Sequence, residues 1–237
     1  MSIIAGIRKP FDQRVGKGEM LHFAAPTKHH APDGTFVQTE GRVGMAFQPH
    51  HTTERSRLES QPVADSRGNF AVFDGRLDNH VDLRNQLKIE RSDASDSFVA
   101  LAAFARWKEQ CFSRFIGDWA VAFWDAHGQV VYLARDHAGS RTLYFQNNHG
   151  TLMWSTFLDN FCQAVTSPPP LDVDYISCYL GCQPLRDLTP YSGIRAVSPA
   201  HYVAIADHTV TSRPHWNWRR CGRRRLLRNK PRPFQEQ

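Results

Sequence analysis

Residues 118–136, DWAVAFWDAHGQVVYLARD, decide the architecture. Positions 119–124 are apolar without interruption, so both rows of side chains on such a strand need cover. That pattern belongs to a sheet lying between a second sheet and a helical layer. Gly128 marks a turn, and 130–136 returns as the hairpin partner. Outward from this hairpin, NFAVFDG (69–75) reads as a strand ending at Gly75. TLYF (142–145) pairs with TLMWSTF (151–157) across QNNHG, and GIRAVSPAHYVAIAD (193–207) is strand-like. The opening MSIIAG places a buried strand almost at the first residue, which is unusual because termini normally fray. Two helices are predicted. SDSFVALAAFARWKEQ (95–110) has Ser95 as its cap and apolar residues at helical spacing, and DVDYISCYLG (172–181) runs from a capping Asp172 to Gly181. Helices on strand-rich layers make an α+β protein, expected as one domain over residues 1–212.

Composition narrows the function classes. Hydrophobic residues make up 41% of the 237, enough for a packed core, and no apolar run reaches the length of a membrane span. No basic-then-apolar leader is present at the start, so a cytoplasmic location is expected. The five cysteines contain no Cys-x-x-Cys pair, and the doublets His29-His30 and His50-His51 would point to opposite faces of a strand. Neither a disulfide framework nor a metal site is expected. The net charge of +6 is local: from Arg219 onward eight basic residues face Glu236 alone, which leaves residues 1–218 at −1. Residues 213–237 therefore read as a basic, disordered tail, and nucleic-acid binding is not expected of the body.

Taken in order, MSIIAG, FDGRLDNHVDLRNQL, the run from Ser95 to Ala126, VYLARDHAGSRTLYF and GIRAVSPAHYVAI resemble the N-terminal, type-2 glutamine amidotransferase domain of asparagine synthetases and their relatives. The resemblance implies the αββα sandwich of the N-terminal-nucleophile (Ntn) hydrolases. It also implies chemistry in which an exposed N-terminal cysteine attacks the side-chain amide of glutamine and releases ammonia. Ser2 stands at the cysteine position. A hydroxyl is a weaker nucleophile near neutral pH, although an adjacent N-terminal amine can activate one. Asp74 and Gly75 match the Asn-Gly pair that stabilises the oxyanion, and a carboxylate at Asp74 opposes the negative charge that must develop there. Arg76 stands where glutamic acid is common. Gln48, beside Pro49, falls where an arginine would hold the substrate carboxylate, and an amide cannot give the paired charged bonds of a guanidinium. Asp96 matches the acidic residue that receives the substrate ammonium, and it is equally suited to a plain charge at a helix N-terminus.

The pattern FDGRLDN with serine at residue 2 resembles asparagine-synthetase-related proteins such as lasso-peptide cyclases and β-lactam synthetases, whose first domain is catalytically silent. The resemblance thus implies a degenerate amidotransferase domain with a structural role beside a synthetase domain or subunit. The alternative is an asparagine synthetase fragment that releases ammonia from glutamine through Ser2. ATP and magnesium are expected only in a synthetase domain, because the Ser-Gly-Gly pyrophosphate loop does not occur in these 237 residues, and a truncated reading is expected.

Overall fold

The computed structural model describes residues 2–52, 55–91, 93–163, 169–207 and 209–217. Among these residues, twelve strands form two six-stranded sheets. In chain order the strands are β1 (Ile3–Arg8), β2 (Phe36–Glu40), β3 (Val43–Gln48), β4 (Val63–Ala64), β5 (Phe70–Gly75), β6 (Trp119–Asp125), β7 (Val130–Arg135), β8 (Tyr144–Asn148), β9 (Thr151–Ser155), β10 (Arg195–Ala196), β11 (His201–Ile205) and β12 (Val210–Pro214). The first sheet runs β10-β8-β9-β1-β3-β2 and the second β12-β11-β7-β6-β5-β4. Five α-helices accompany them: α1 (Lys17–Ala24), α2 (His80–Leu87), α3 (Asp96–Trp107), α4 (Asp159–Gln163) and α5 (Val173–Leu180).

Alternation along β6 assigns the layers. Ala120, Ala122 and Trp124 face the other sheet and pack with Ile4, Met45, Phe47, Val72 and Leu133. Val121 and Phe123 face outward onto Leu101 and Phe104 of α3. On the opposite outer face, Ala5, Ile7 and Ala46 pack against Met20 and Phe23 of α1 and Phe161 of α4. The result is four layers, helix–sheet–sheet–helix, with both faces of the central strands dry. Ser95 caps α3 as its sequence predicts, accepting from the Phe98 N–H at 3.3 Å, and Asp172 caps α5 through the Tyr175 N–H at 2.8 Å. The α-helical part of the 95–110 stretch ends at Trp107 and continues as a 3₁₀ turn to Arg114.

Two features place the site. β1 lies between β3 and β9, and Gly6 has no Cβ because the Trp154 indole crosses it: an added Cβ would sit 2.1 Å from Trp154 Cζ2. β5 ends at Gly75 with φ +127°, where an added Cβ would meet the Asp118 carbonyl oxygen at 2.0 Å, so glycine is required. The folded unit extends past residue 212. β12 reaches Pro214, and His215 lies 5.5 Å from Trp119, ring to ring, while donating from Nε2 to the Arg135 carbonyl at 2.7 Å. Of the predicted basic tail, 213–237, residues 218–237 lie outside the described residues.

Candidate functional site

The same alternation that fills the core aims two polar residues at each other. Even-numbered positions of β1 and β5 face between the sheets, as Ile4, Phe70 and Val72 do, which places Ser2 and Asp74 toward one another across the two sheets. The Ser2 backbone N–H donates to the Asp74 carboxylate. Asp74 is 2% exposed, its Oδ2 has no hydrogen-bond partner among the described residues, and Arg141 Nη1 is 3.9 Å away, which gives charge attraction without a bond. Burial pushes the Asp74 carboxyl up to about 7, opposed by Arg141, the chain's amino terminus and the Ser2 N–H. Ser2 Oγ accepts a hydrogen bond from the His50 N–H at 3.1 Å.

Beside Ser2 opens a cavity of about 260 Å³, with Phe47 and Phe73 as its apolar wall and Ser56, Glu59, Gln61, Gly75, Arg76 and Asp96 around it. Asp96, 4% exposed at the first position of α3, accepts from the Leu77 N–H at 3.1 Å, and its Oδ1 lies 3.8 Å from His80 Nε2. That nitrogen carries its proton, because it is 2.8 Å from the Ala94 carbonyl, which can only accept. Arg76 stands at the rim, its side chain 65% exposed. Its Nε donates to Asp78 at 2.8 Å and its Nη2 lies 3.6 Å from Asp118.

The structure thus brings Ser2, Gly75, Arg76 and Asp96 around one cavity, with Asp74 buried beside Ser2. Gln48 is not among them. It is 1% exposed at the end of β3, and its amide is spent on the other side: Oε1 accepts from Thr27 Oγ1 at 2.7 Å, and Nε2 donates to the Ala24 carbonyl at 3.0 Å and to Thr35 Oγ1 at 3.2 Å. Gln48 ties β3 to the helical layer, because its side chain leaves the strand on the face that α1 covers.

Three polar cavity residues, Ser56, Glu59 and Gln61, went unnoticed in the sequence. Glu59 accepts from the Asp96 N–H at 2.8 Å, the Ser97 N–H at 3.3 Å and the Ser97 hydroxyl, closing the open end of α3 with a carboxylate. Burial raises its pKa above the ordinary carboxylate value, against the hydrogen bonds from Ser97. Gln61 pairs with β5 like a strand residue, accepting from the Phe73 N–H at 2.6 Å and donating to the Phe73 carbonyl at 2.9 Å. Their only sequence signal is position, a loop between strands rich in polar side chains.

Comparison with known proteins places this architecture. A model of the glutamine amidotransferase domain matches residues 1–216. The chain belongs to the glutamine amidotransferase domain family. Within it, the chain is 25% identical to the amidase chyE of Penicillium rubens over 205 residues, 84% of this chain and 30% of that protein. To the glutamine-hydrolysing asparagine synthetase 3 of Bacillus subtilis it is 25% identical over 155 residues, 62% of this chain and 25% of that one. The amidotransferase domain therefore spans a third or less of the length of these relatives. Among solved structures, the glutamine phosphoribosylpyrophosphate amidotransferase of B. subtilis, complexed with ADP and GMP, superposes with a TM-score of 0.64 at 14% identity, over 90% of this chain and 49% of that one. The fold is that of the Ntn-hydrolase amidotransferases, and the domain is of the asparagine-synthetase type. No helix among the described residues is long and apolar enough to cross a membrane.

Proposed function

We propose that this amidotransferase domain does not hydrolyse glutamine and serves as a folded partner for a synthetase domain or subunit. The observation that carries the reading is Asp74: a buried carboxylate with an unpartnered oxygen beside the Ser2 backbone. Attack on an amide builds negative charge on the carbonyl oxygen, and loss of a single oxyanion donor costs on the order of 10²–10³ in rate. Above pH 7 Asp74 replaces a donor with a like charge. The substrate grip supports the same reading, since Arg76, the guanidinium at the cavity, is engaged with Asp78 and Asp118. Glutamine would enter a cavity whose remaining charged walls are Glu59 and Asp96, neither suited to its carboxylate.

One observation favours a second reading. Ser2 Oγ opens onto the cavity and receives the His50 N–H. Once protonated, Asp74 offers an O–H in place of an amide donor. Ammonia release through Ser2 would then rise as the pH falls through about 7.

Ammonia release from glutamine, measured at pH 6 and pH 8, separates the two. The silent reading expects the wild type at the buffer blank at both values, with Ser2→Cys close to it, because parts of one catalytic unit act non-additively. Ser2→Cys combined with Asp74→Asn is the first variant expected to give measurable hydrolysis. Wild-type turnover that Ser2→Ala abolishes would refute the proposal.

A further inference from the structure

Apart from its backbone pairing with β11, the strand β12 is held to the fold chiefly by one ring. All five of its residues are exposed, and His215 is the one residue of 209–217 that is not. The His215 N–H donates to the Ala200 carbonyl at 2.9 Å, and its ring packs on Phe112 and Trp119 at centroid distances of 6.0 and 5.5 Å. Trp216 adds a tilted contact with the His137 ring at 5.3 Å. The His215 ring is docked as the neutral tautomer. Nε2 carries its proton, because the Arg135 carbonyl 2.7 Å away can only accept, so Nδ1 is a bare acceptor. That Nδ1 is buried and has no partner among the described residues. A second proton placed there finds no acceptor in the neighbouring indole, since Trp119 Nε1, buried and equally without a partner among the described residues, can only donate.

We propose that His215 is an acid-operated latch: protonation at Nδ1 releases residues 209–217 from β11, opening the outer edge of that strand and uncovering the pocket of Phe112 and Trp119. The groups around the ring agree with this. Burial lowers its pKa; the bond to the Arg135 carbonyl raises it, His201 on β11 lowers it, Asp136 raises it and His137 lowers it. Asp136, the one acid among them, is already taken by the N–H groups of Trp119, Ala138 and Ser140. The Arg135 guanidinium is spent on the carbonyls of Gly139, Arg141 and Val197, while Glu109 and Arg213 act on the neighbouring Tyr202. The docked ring therefore refuses a proton that the detached ring takes up near the ordinary histidine value of about 6.5. Above that value the latch holds. Below it, release gains up to about tenfold per pH unit until the docked ring is protonated as well. An open strand edge of this kind is a surface for pairing with another chain.

Amide hydrogen exchange of the full chain tests the latch. Bonded pairs alternate along an antiparallel ladder, so the His215 bond to Ala200 and the Ala206 bond to the Thr209 carbonyl put the Thr211 and Arg213 N–H groups onto β11. Their protection, corrected for intrinsic exchange, is expected to fall about fivefold or more between about pH 7.5 and about pH 5, while the amides of β6 keep theirs. The His215 ring resonance is expected to titrate over the same range. His215→Phe keeps a ring in the pocket without a proton site, so Thr211 and Arg213 are expected to be equally protected at both pH values. His137→Gln and His201→Gln are each expected to retain the fall. Equal protection in the wild type at the two pH values overturns the inference, as does a fall shared by β6. So does a fall that survives in His215→Phe, one that His137→Gln or His201→Gln abolishes, or a His215 ring that titrates apart from the exchange.

Discussion

Asp74 concentrates the chemistry of the site in one side chain. Its carboxyl titrates near 7 in the folded protein against about 3.9 in an unfolded chain, so between those values the folded state holds a proton that the unfolded state has released. Stability from this group is therefore present below about pH 4, declines as the pH rises, and is gone above about 7. The span of three units corresponds to an effect on the order of 4 kcal/mol. Asp74→Asn removes the titrating group while keeping its shape. Its unfolding free energy in urea is expected to exceed that of the wild type at pH 8 and to approach it at pH 5, and parallel pH profiles for the two proteins would rule this out. Ser2 and Asp74 were legible in the sequence because a motif carries them. Gln48 shows the limit of such reading, since spacing placed it near the site while the face of β3 from which it projects sent its amide to Thr27 and Ala24.

The elements that sequence revealed are those whose pattern is extreme. β6 is apolar at every position of its first six residues, and the hairpin to β7 has a glycine turn, so strand, partner and double cover follow from one stretch. β3 was missed as a strand because Gly44 and Gln48 break the look of a strand, although all six of its residues are buried and it is the neighbour of β1. α1 was missed because Gly16 offers no side-chain cap and only Met20, Phe23 and Ala24 are buried. β5 shows a strand end fixed by contact. Past Gly75 the chain stays paired with its neighbour, the Arg76 N–H donating to the Asp118 carbonyl at 2.9 Å and the Asp78 N–H to the Ile116 carbonyl at 2.7 Å. A side chain at residue 75 would have to push those strands apart at a positive φ as well. Gly75→Ala is expected to lower the unfolding free energy by about 3 kcal/mol or more, and a loss below 1 kcal/mol in denaturant titration would show that the strand end can relax.

At the scale of the whole molecule, the end of the sandwich opposite the cavity is held by charge. Arg8 and Arg42, 0% and 6% exposed, both donate to Asp207 at the turn between β11 and β12, Arg8 Nη1 at 2.6 Å. The contact joins the two sheets, because β1 and β3 belong to one and β11 to the other. Burial lowers the pKa of Arg8, and the neighbouring Arg42 lowers it further, so Asp207 is what makes two adjacent buried guanidinium groups tolerable. Asp207→Ala is expected to cost about 2 kcal/mol, less than for a fully buried pair because the carboxylate is partly exposed. A thermal melt unchanged by this substitution would show that water satisfies both arginines. The position of β1 has a consequence in time. β1 precedes the other strands of its sheet along the chain, yet it sits in mid-sheet, and its far neighbour β9 follows some 150 residues later, as the hydrogen bond from the Ile4 N–H to Thr156 Oγ1 spans 152 positions. At synthesis rates of about 5–20 residues per second, Ile3, Ile4 and Ile7 wait on the order of ten seconds on the ribosome for that neighbour, with one edge of their strand open. Until Thr156 has been made the first sheet cannot close, and the nascent chain carries an extended apolar segment with an unpaired strand edge.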